Sequence, residues 1–309
     1  MADAGDAGNT RLAIIAGLTM IGIYAIQFVA ARFSLRDHLT ATDLAALRFG
    51  GAGVVFVPIV WRSGFAPMRA LGWRRALALA ALAGLPYPLI INWGLTYAPA
   101  AHAAALCPAS IVFFSFLLSR VFFDDGASQR RTIGVVAIIA GLLLFIAAAR
   151  DAANGVFIGD VLFIGSGLMF STYAVLVRLW RADPVTATAA VVLLSCLPLP
   201  VLYLFAPSHI HAAAATEIAG QIVIQGVLAG AAAMFLYTYI VRQLGPQTAS
   251  LFLPGIPIAT VIVGMAVLGE TPMTIQFAAI AIMVAGMAFS AIGTRTASAS
   301  LNAQASGGS

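Results

Sequence analysis

The sequence predicts an all-α integral membrane protein: ten transmembrane helices as two inverted five-helix repeats, with the N- and C-termini cytoplasmic. Three observations predict it. The composition is too apolar for water. The apolar residues fall into ten runs of span length. The two halves of the chain resemble each other at a spacing of about 146 residues.

Of the 309 residues, 61% are hydrophobic and 9% charged, and the mean hydropathy is +1.00. Soluble domains carry about 25% charged residues. A chain this apolar needs a bilayer as its solvent. The charge is +5, but the arginines stand singly or in pairs between apolar runs, with no lysine and no basic stripe. This distribution sets orientation in a membrane and argues against a nucleic-acid partner. Cys107 and Cys196 both lie inside apolar runs. They read as small packing residues, with no disulfide and no metal site inferred. The N-terminal stretch 1–10 lacks the basic start of a secretory signal, so the first apolar run is expected to stay as a helix.

A span needs about 20 mostly apolar residues. The runs lie at 11–31, 41–61, 75–96, 101–120, 130–149, 156–180, 185–206, 218–242, 247–268 and 273–293. Most connections carry turn or capping residues: Arg36 and Asp37; Asp124, Asp125 and Gly126; Asp183 and Pro184; Gly245 and Pro246; Glu270, Thr271 and Pro272. With the N-terminus inside, twelve arginines fall on the cytoplasmic side: Arg11, Arg62, Arg69, Arg74, Arg75, Arg120, Arg130, Arg131, Arg178, Arg181, Arg242 and Arg295. Only Arg32, Arg36 and Arg150 fall outside, which is the bias expected of an inner (plasma) membrane protein with both termini cytoplasmic.

The internal repeat rests on aligned breakers and acids. Pro108 falls on Pro254 and Asp124 on Glu270; with a one-residue slip, Ala140 and Gly141 fall on Ala285 and Gly286. Five spans per half is an odd number, so the second half enters the membrane from the other side. Inverted repeats of this kind are frequent in secondary transporters. The expected division is 1–150 for spans one to five, 151–293 for spans six to ten, and 294–309 as a disordered Ala/Ser/Gly-rich tail.

Four places resemble the drug/metabolite transporter superfamily, in its ten-helix EamA-type branch. Tyr24, Ala25, Ile26, Gln27, Phe28 and Val29 stand where that family often has Trp-Gly-Ser-Asn-Phe-Val. Leu47, Arg48 and Phe49 match its Leu-Arg-Phe. Phe170, Ser171, Thr172 and Tyr173 replace its Trp-Ala-x-Tyr. Pro257 precedes Leu268, Gly269 and Glu270 at the family's spacing. The first half departs from the pattern. Ile111 occupies the family's proline position, Pro108 lies three residues earlier, and Asp124 replaces Glu, so a kink there is expected to move by about one turn. Within the branch the chain is most similar to YddG-type exporters. The resemblance implies a carrier of aromatic and other neutral amino acids, with a small-molecule substrate and the lipid bilayer as its partners and no cofactor.

Arg48 is the only arginine well inside a run, about two turns or 10 Å from its outer end. It either attracts a substrate carboxylate or braces nearby carbonyls and snorkels outward. The resemblance implies an arginine here whatever the substrate, which favours the structural role. Met20, Tyr24, Gln27 and Ala31 share one helix face suited to an interior pocket. Tyr87 lies between two prolines, where the backbone must bend. Tyr173, Tyr237, Trp93 and His102 complete the candidate substrate-binding set. For Trp93, and for Trp61, Trp73 and Trp180, an interfacial belt is the competing reading. For His102 it is an interfacial imidazole bonded to water or backbone. Pro108, Pro254 and Pro257 are candidate helix breaks at matching positions, the best pointer to a midplane site.

No Asp or Glu falls at the centre of a run, which disfavours cationic drugs and an obligate proton cycle. An intramembrane enzyme would need a nucleophile, paired acids or a ligand set, and no such motif is present; His38, His102, His209 and His211 form no cluster with acids in the sequence. Channel-type filters are absent from the sequence as well. The remaining alternative is a carrier of another class: nucleobase, sugar or drug-like solute.

Overall fold

The computed structural model describes residues 2–62, 69, 71–123, 129–149, 155–244 and 252–306, and all regular structure among them is helical. The first half holds α1 (Ala2–Asp37), α2 (Ala41–Arg62), α3 (Trp73–Ala83), α4 (Pro86–Tyr97), α5 (Ala100–Phe123) and α6 (Gln129–Ala149). The second holds α7 (Val156–Leu179), α8 (Pro184–Cys196), α9 (Leu199–Phe205) and α10 (Ala215–Gln221), which continues through a π-helical segment (Ile222–Ala232) into α11 (Ala233–Leu244). Then come α12 (Gly255–Leu268) and α13 (Thr274–Ser306). Helix thus extends through most of the stretch read as a disordered tail. The expected turns at Asp124, Asp125 and Gly126 and at Gly245 and Pro246, and Arg150, lie outside the described residues.

Eight helical stretches among the described residues are long and apolar enough to cross a bilayer, and α12 is apolar but shorter. The 22-residue α2 carries Asp43 and Arg48 in its first half. The exterior is apolar: Leu18, Val54, Leu143, Leu204, Phe205 and Ile262 are each 60–85% exposed. A soluble fold would aggregate with that surface, whereas a bilayer solvates it.

Two expected spans are jointed. Between α3 and α4 the helix stops at Gly84, and Pro86 restarts it from the first turn, where a missing N–H costs nothing. The Leu85 N–H freed by the joint donates to Ser195 Oγ at 3.0 Å. Between α8 and α9 the break falls at Leu197 and Pro198. The proline expectations meet a different backbone. Pro108 is buried inside an uninterrupted α5, because close packing outweighs one lost hydrogen bond. Pro254 caps α12 and Pro257 lies in its first turn, and residues 247–251 of the expected span lie outside the described residues.

Small residues bring helices together where lipid supplies no hydrophobic drive. The α5 stretch from Ala100 to Ser110 is entirely buried and forms the centre of the main core with Leu44, Leu95, Phe145, Phe163 and Met283. Gly51 of α2 faces Gly226 of the π-helical segment so closely that a methyl on Gly226 would sit 2.6 Å from the Gly51 Cα. Along α6 and α13, Gly134 faces Gly286, and Gly141 faces Ala279 and Met283.

Candidate functional site

Three polar nodes fasten one end of the bundle, the end that holds Arg32 and Arg36. Glu270 Oε1 accepts from Arg32 Nε at 3.0 Å and from an Arg36 terminal nitrogen, and its Oε2 caps α5 by accepting from Ala100 N at 2.9 Å. The Gly-Glu pair singled out in the sequence therefore ties α1, α5 and the end of α12. Asp43, fully buried, forms a reciprocal cap with Thr40 and also accepts from Tyr203, from Ser208 at 2.6 Å and from His209 N at 3.1 Å.

The third node corrects the reading of His102. It is 3% exposed, and its ring bonds two side chains. Asp160 Oδ1 lies 2.7 Å from its Nδ1, and Gln276 Nε2 lies 3.1 Å from its Nε2. Gln276 Oε1 accepts from Met273 N, so its amide nitrogen is the donor to the ring. That assigns the ring proton to Nδ1, donating to Asp160. Phe145 closes the imidazole edge-on at 4.6 Å. Asp160 and Gln276 were missed as partners. Each lies near the start of a helix in the sequence, and their burial follows only from three helix N-termini meeting.

Deeper in the bundle, α1, α2 and α4 bring Tyr24, Arg48 and Tyr87 into one region, and Phe170 of α7 links Tyr87 to Tyr173. Arg48 lies within electrostatic reach of Tyr24 and Tyr87, and Tyr24 within reach of Tyr237 on α11. Tyr87 packs on Phe170 (5.4 Å between centroids), and Phe170 on Tyr173 (5.5 Å). Phe170 completes this aromatic row and was not singled out for the site, although it lies three residues, one helical turn, before Tyr173. Tyr24, Arg48 and Tyr87 each keep part of their surface free while lying inside the bundle.

Among the described residues no carboxylate pairs with Arg48: the ion pairs present are those of Arg32 and Arg36 with Glu270 and of His102 with Asp160. Gln27, 7% exposed, has a buried Oε1 without a hydrogen-bond partner, while its backbone carbonyl accepts from Gln225 Nε2 at 3.2 Å. Trp93 is not brought to this group; it is 49% exposed on the bundle exterior. Tyr237 stands at the margin, 37% exposed. No group of three or more metal-ligating side chains occurs among the described residues.

The chain is 22% identical over 267 residues to an uncharacterized transporter of Archaeoglobus fulgidus, covering 85% of this chain and 92% of that one. A protein crystal structure shares the fold with a TM-score of 0.61 and 22% identity, covering 93% of this chain and 98% of the other. The family model for EamA-like transporters matches residues 11–147 and 157–292. A multi-pass helical membrane chain matched along both halves belongs to the EamA-like transporter family of the drug/metabolite transporter superfamily.

Proposed function

We propose that this protein exports aromatic and other neutral amino acids by alternating access between two inverted five-helix halves, residues 1–150 and 151–293, with both termini cytoplasmic in the inner membrane. The observation that carries the substrate is Arg48: a half-buried cation inside the bundle with no acidic partner among the described residues, within electrostatic reach of Tyr24 and Tyr87. An unpaired arginine inside a span is costly, about 2.5–3.5 kcal/mol at the centre. A substrate carboxylate relieves that cost, which favours the ligand role over the structural one. The unmet acceptor of Gln27 suits the α-ammonium of the same zwitterion, and the row Tyr87, Phe170 and Tyr173 offers π-faces to a flat side chain.

The inverted repeat is supported by α6 and α13. Gly134 and Gly141 lie seven residues apart, as do Ala279 and Gly286. The contacts are reciprocal, Gly141 to Ala279 and Gly286 to Gly134. Such exchange is what a pseudo-twofold axis between the halves produces. In the proposed cycle the Arg32 end opens when Glu270 releases its partners.

The test is counterflow in proteoliposomes loaded with unlabelled solute, scanning amino acids, nucleobases and sugars. Accelerated uptake of labelled phenylalanine is the expected result. Acceptance of nucleobases or sugars with indifference to amino acids removes the substrate assignment.

A further inference from the structure

Apart from the tyrosine-lined site, a groove of about 550 Å³ runs between α1, α10 with its π-helical extension, and α12. Its walls are apolar, among them Ile26, Val29, Phe33, Val263 and Val267, and Glu217 is the one charged residue lining it. Gln221, one turn beyond Glu217, lies on the same helix face. Gln221 is 4% exposed, and its amide orientation is fixed: Nε2 donates to the Ala30 carbonyl at 2.8 Å and to Ser34 Oγ at 3.0 Å. Turned over, its oxygen would face that carbonyl. Gln221 Oε1 is therefore held away from these partners and has none of its own, and the buried Oε1 of Glu217 has none either. The wall of the groove thus holds two buried, unmet acceptors, one of them on a carboxyl side chain, whose need is met by a cation that donates hydrogen bonds.

The rest of the groove says what carries that cation. Ile26, Phe33 and Val267 are 43%, 47% and 58% exposed, so the walls open on the apolar exterior that the bilayer solvates. Glu217 stands in the first turn of α10, at the end of a candidate span, where headgroups lie. Ile26 stands about 10 Å deeper than Phe33 along α1. Polar acceptors at headgroup level above an apolar channel match an amphiphile entering from the bilayer.

We propose that this groove binds a phospholipid with a primary-amine headgroup, its ammonium donating to Glu217 and Gln221 and an acyl chain following Phe33 and Ile26 downward. A choline headgroup carries the same charge but no N–H donor, so it separates hydrogen bonding from charge alone.

The test is native mass spectrometry of the full chain with phosphatidylethanolamine, phosphatidylcholine and phosphatidylglycerol of matched acyl chains. The wild type is expected to retain phosphatidylethanolamine about tenfold better than phosphatidylcholine. Glu217→Gln, which keeps an acceptor but removes the charge, is expected to cut that preference to a few-fold with an unchanged melting curve in phosphatidylcholine nanodiscs. Val267→Trp, at an exposed wall position, is expected to lower retention of phosphatidylethanolamine by filling the channel. Equal retention of the ethanolamine and choline lipids, an undiminished preference in Glu217→Gln, or full competition by ethylammonium or sodium ions alone would overturn the assignment.

Discussion

Gly134 and Gly286 pack backbone against backbone. A methyl group on Gly134 would lie 2.6 Å from the Gly286 carbonyl oxygen, and one on Gly286 would lie 2.7 Å from that of Gly134. Neither neighbour is a flexible side-chain tip, so the helices themselves must part. Gly134→Ala and Gly286→Ala are expected to destabilise the protein by about 1–3 kcal/mol each, the cost of overpacking. Gly22 and Gly165 have nothing within 4 Å of an added methyl. Alanine there is expected to be neutral or to stabilise by up to about 1 kcal/mol through helix propensity. Melting curves in one detergent check the contrast; equal effects at all four positions would remove the close-approach account of α6 and α13.

Removal of the Asp160 carboxylate leaves the His102 N–H buried without an acceptor. Asp160→Ala is expected to cost about 1–3 kcal/mol, and His102→Ala a comparable amount through Asp160 and Gln276. The double variant is expected to cost less than the sum, because the two act through one bond. A thermal double-mutant cycle measures this. Strict additivity would mean that the 2.7 Å pair contributes nothing.

Transport of phenylalanine is expected to persist with equal pH on both sides of the liposome and a protonophore present. Of the two fully buried aspartates, Asp43 is engaged by Thr40, Tyr203, Ser208 and His209, and Asp160 is held through Oδ1 by His102 while its Oδ2 has no hydrogen-bond partner; among the described residues no carboxylate pairs with Arg48. Loss of flux under these conditions would show that a proton carrier operates in the cycle.

Eight of the ten apolar runs, the helix-end placement of the acids and the inward face of α1 were legible in the sequence because each is a local pattern. Met20, Gln27 and Ala31 of that face are buried and Tyr24 is half-buried, as the spacing predicts. What one residue meets across the bundle was not legible. Asp160 reads as an ordinary helix-start acid until α5, α7 and α13 converge on it. The backbone response to proline was also illegible: α5 absorbs Pro108, whereas Pro86 follows a full break. Sequence alone does not say whether packing on both sides will hold a helix straight. Trp93 and Tyr87 sit six residues apart, yet Tyr87 packs on Phe170 while Trp93 is largely exposed. The restart of the helix at Pro86 sets which of them turns inward.

Arg48 and the tyrosines around it are proposed to hold a zwitterionic substrate, and this role carries the transport proposal. It is tested most directly by counterflow of labelled phenylalanine in wild type, Arg48→Gln, Tyr24→Ala and Tyr173→Ala, each first matched to wild type by melting curve. Loss of the charge-assisted bond to the carboxylate is expected to weaken phenylalanine binding about tenfold or more in Arg48→Gln. A tyrosine change is expected to remove roughly 0.5–1.5 kcal/mol of ring contact beyond its buried area, up to about tenfold in affinity. Wild-type counterflow in Arg48→Gln together with both tyrosine variants would contradict the account and return these residues to a packing role.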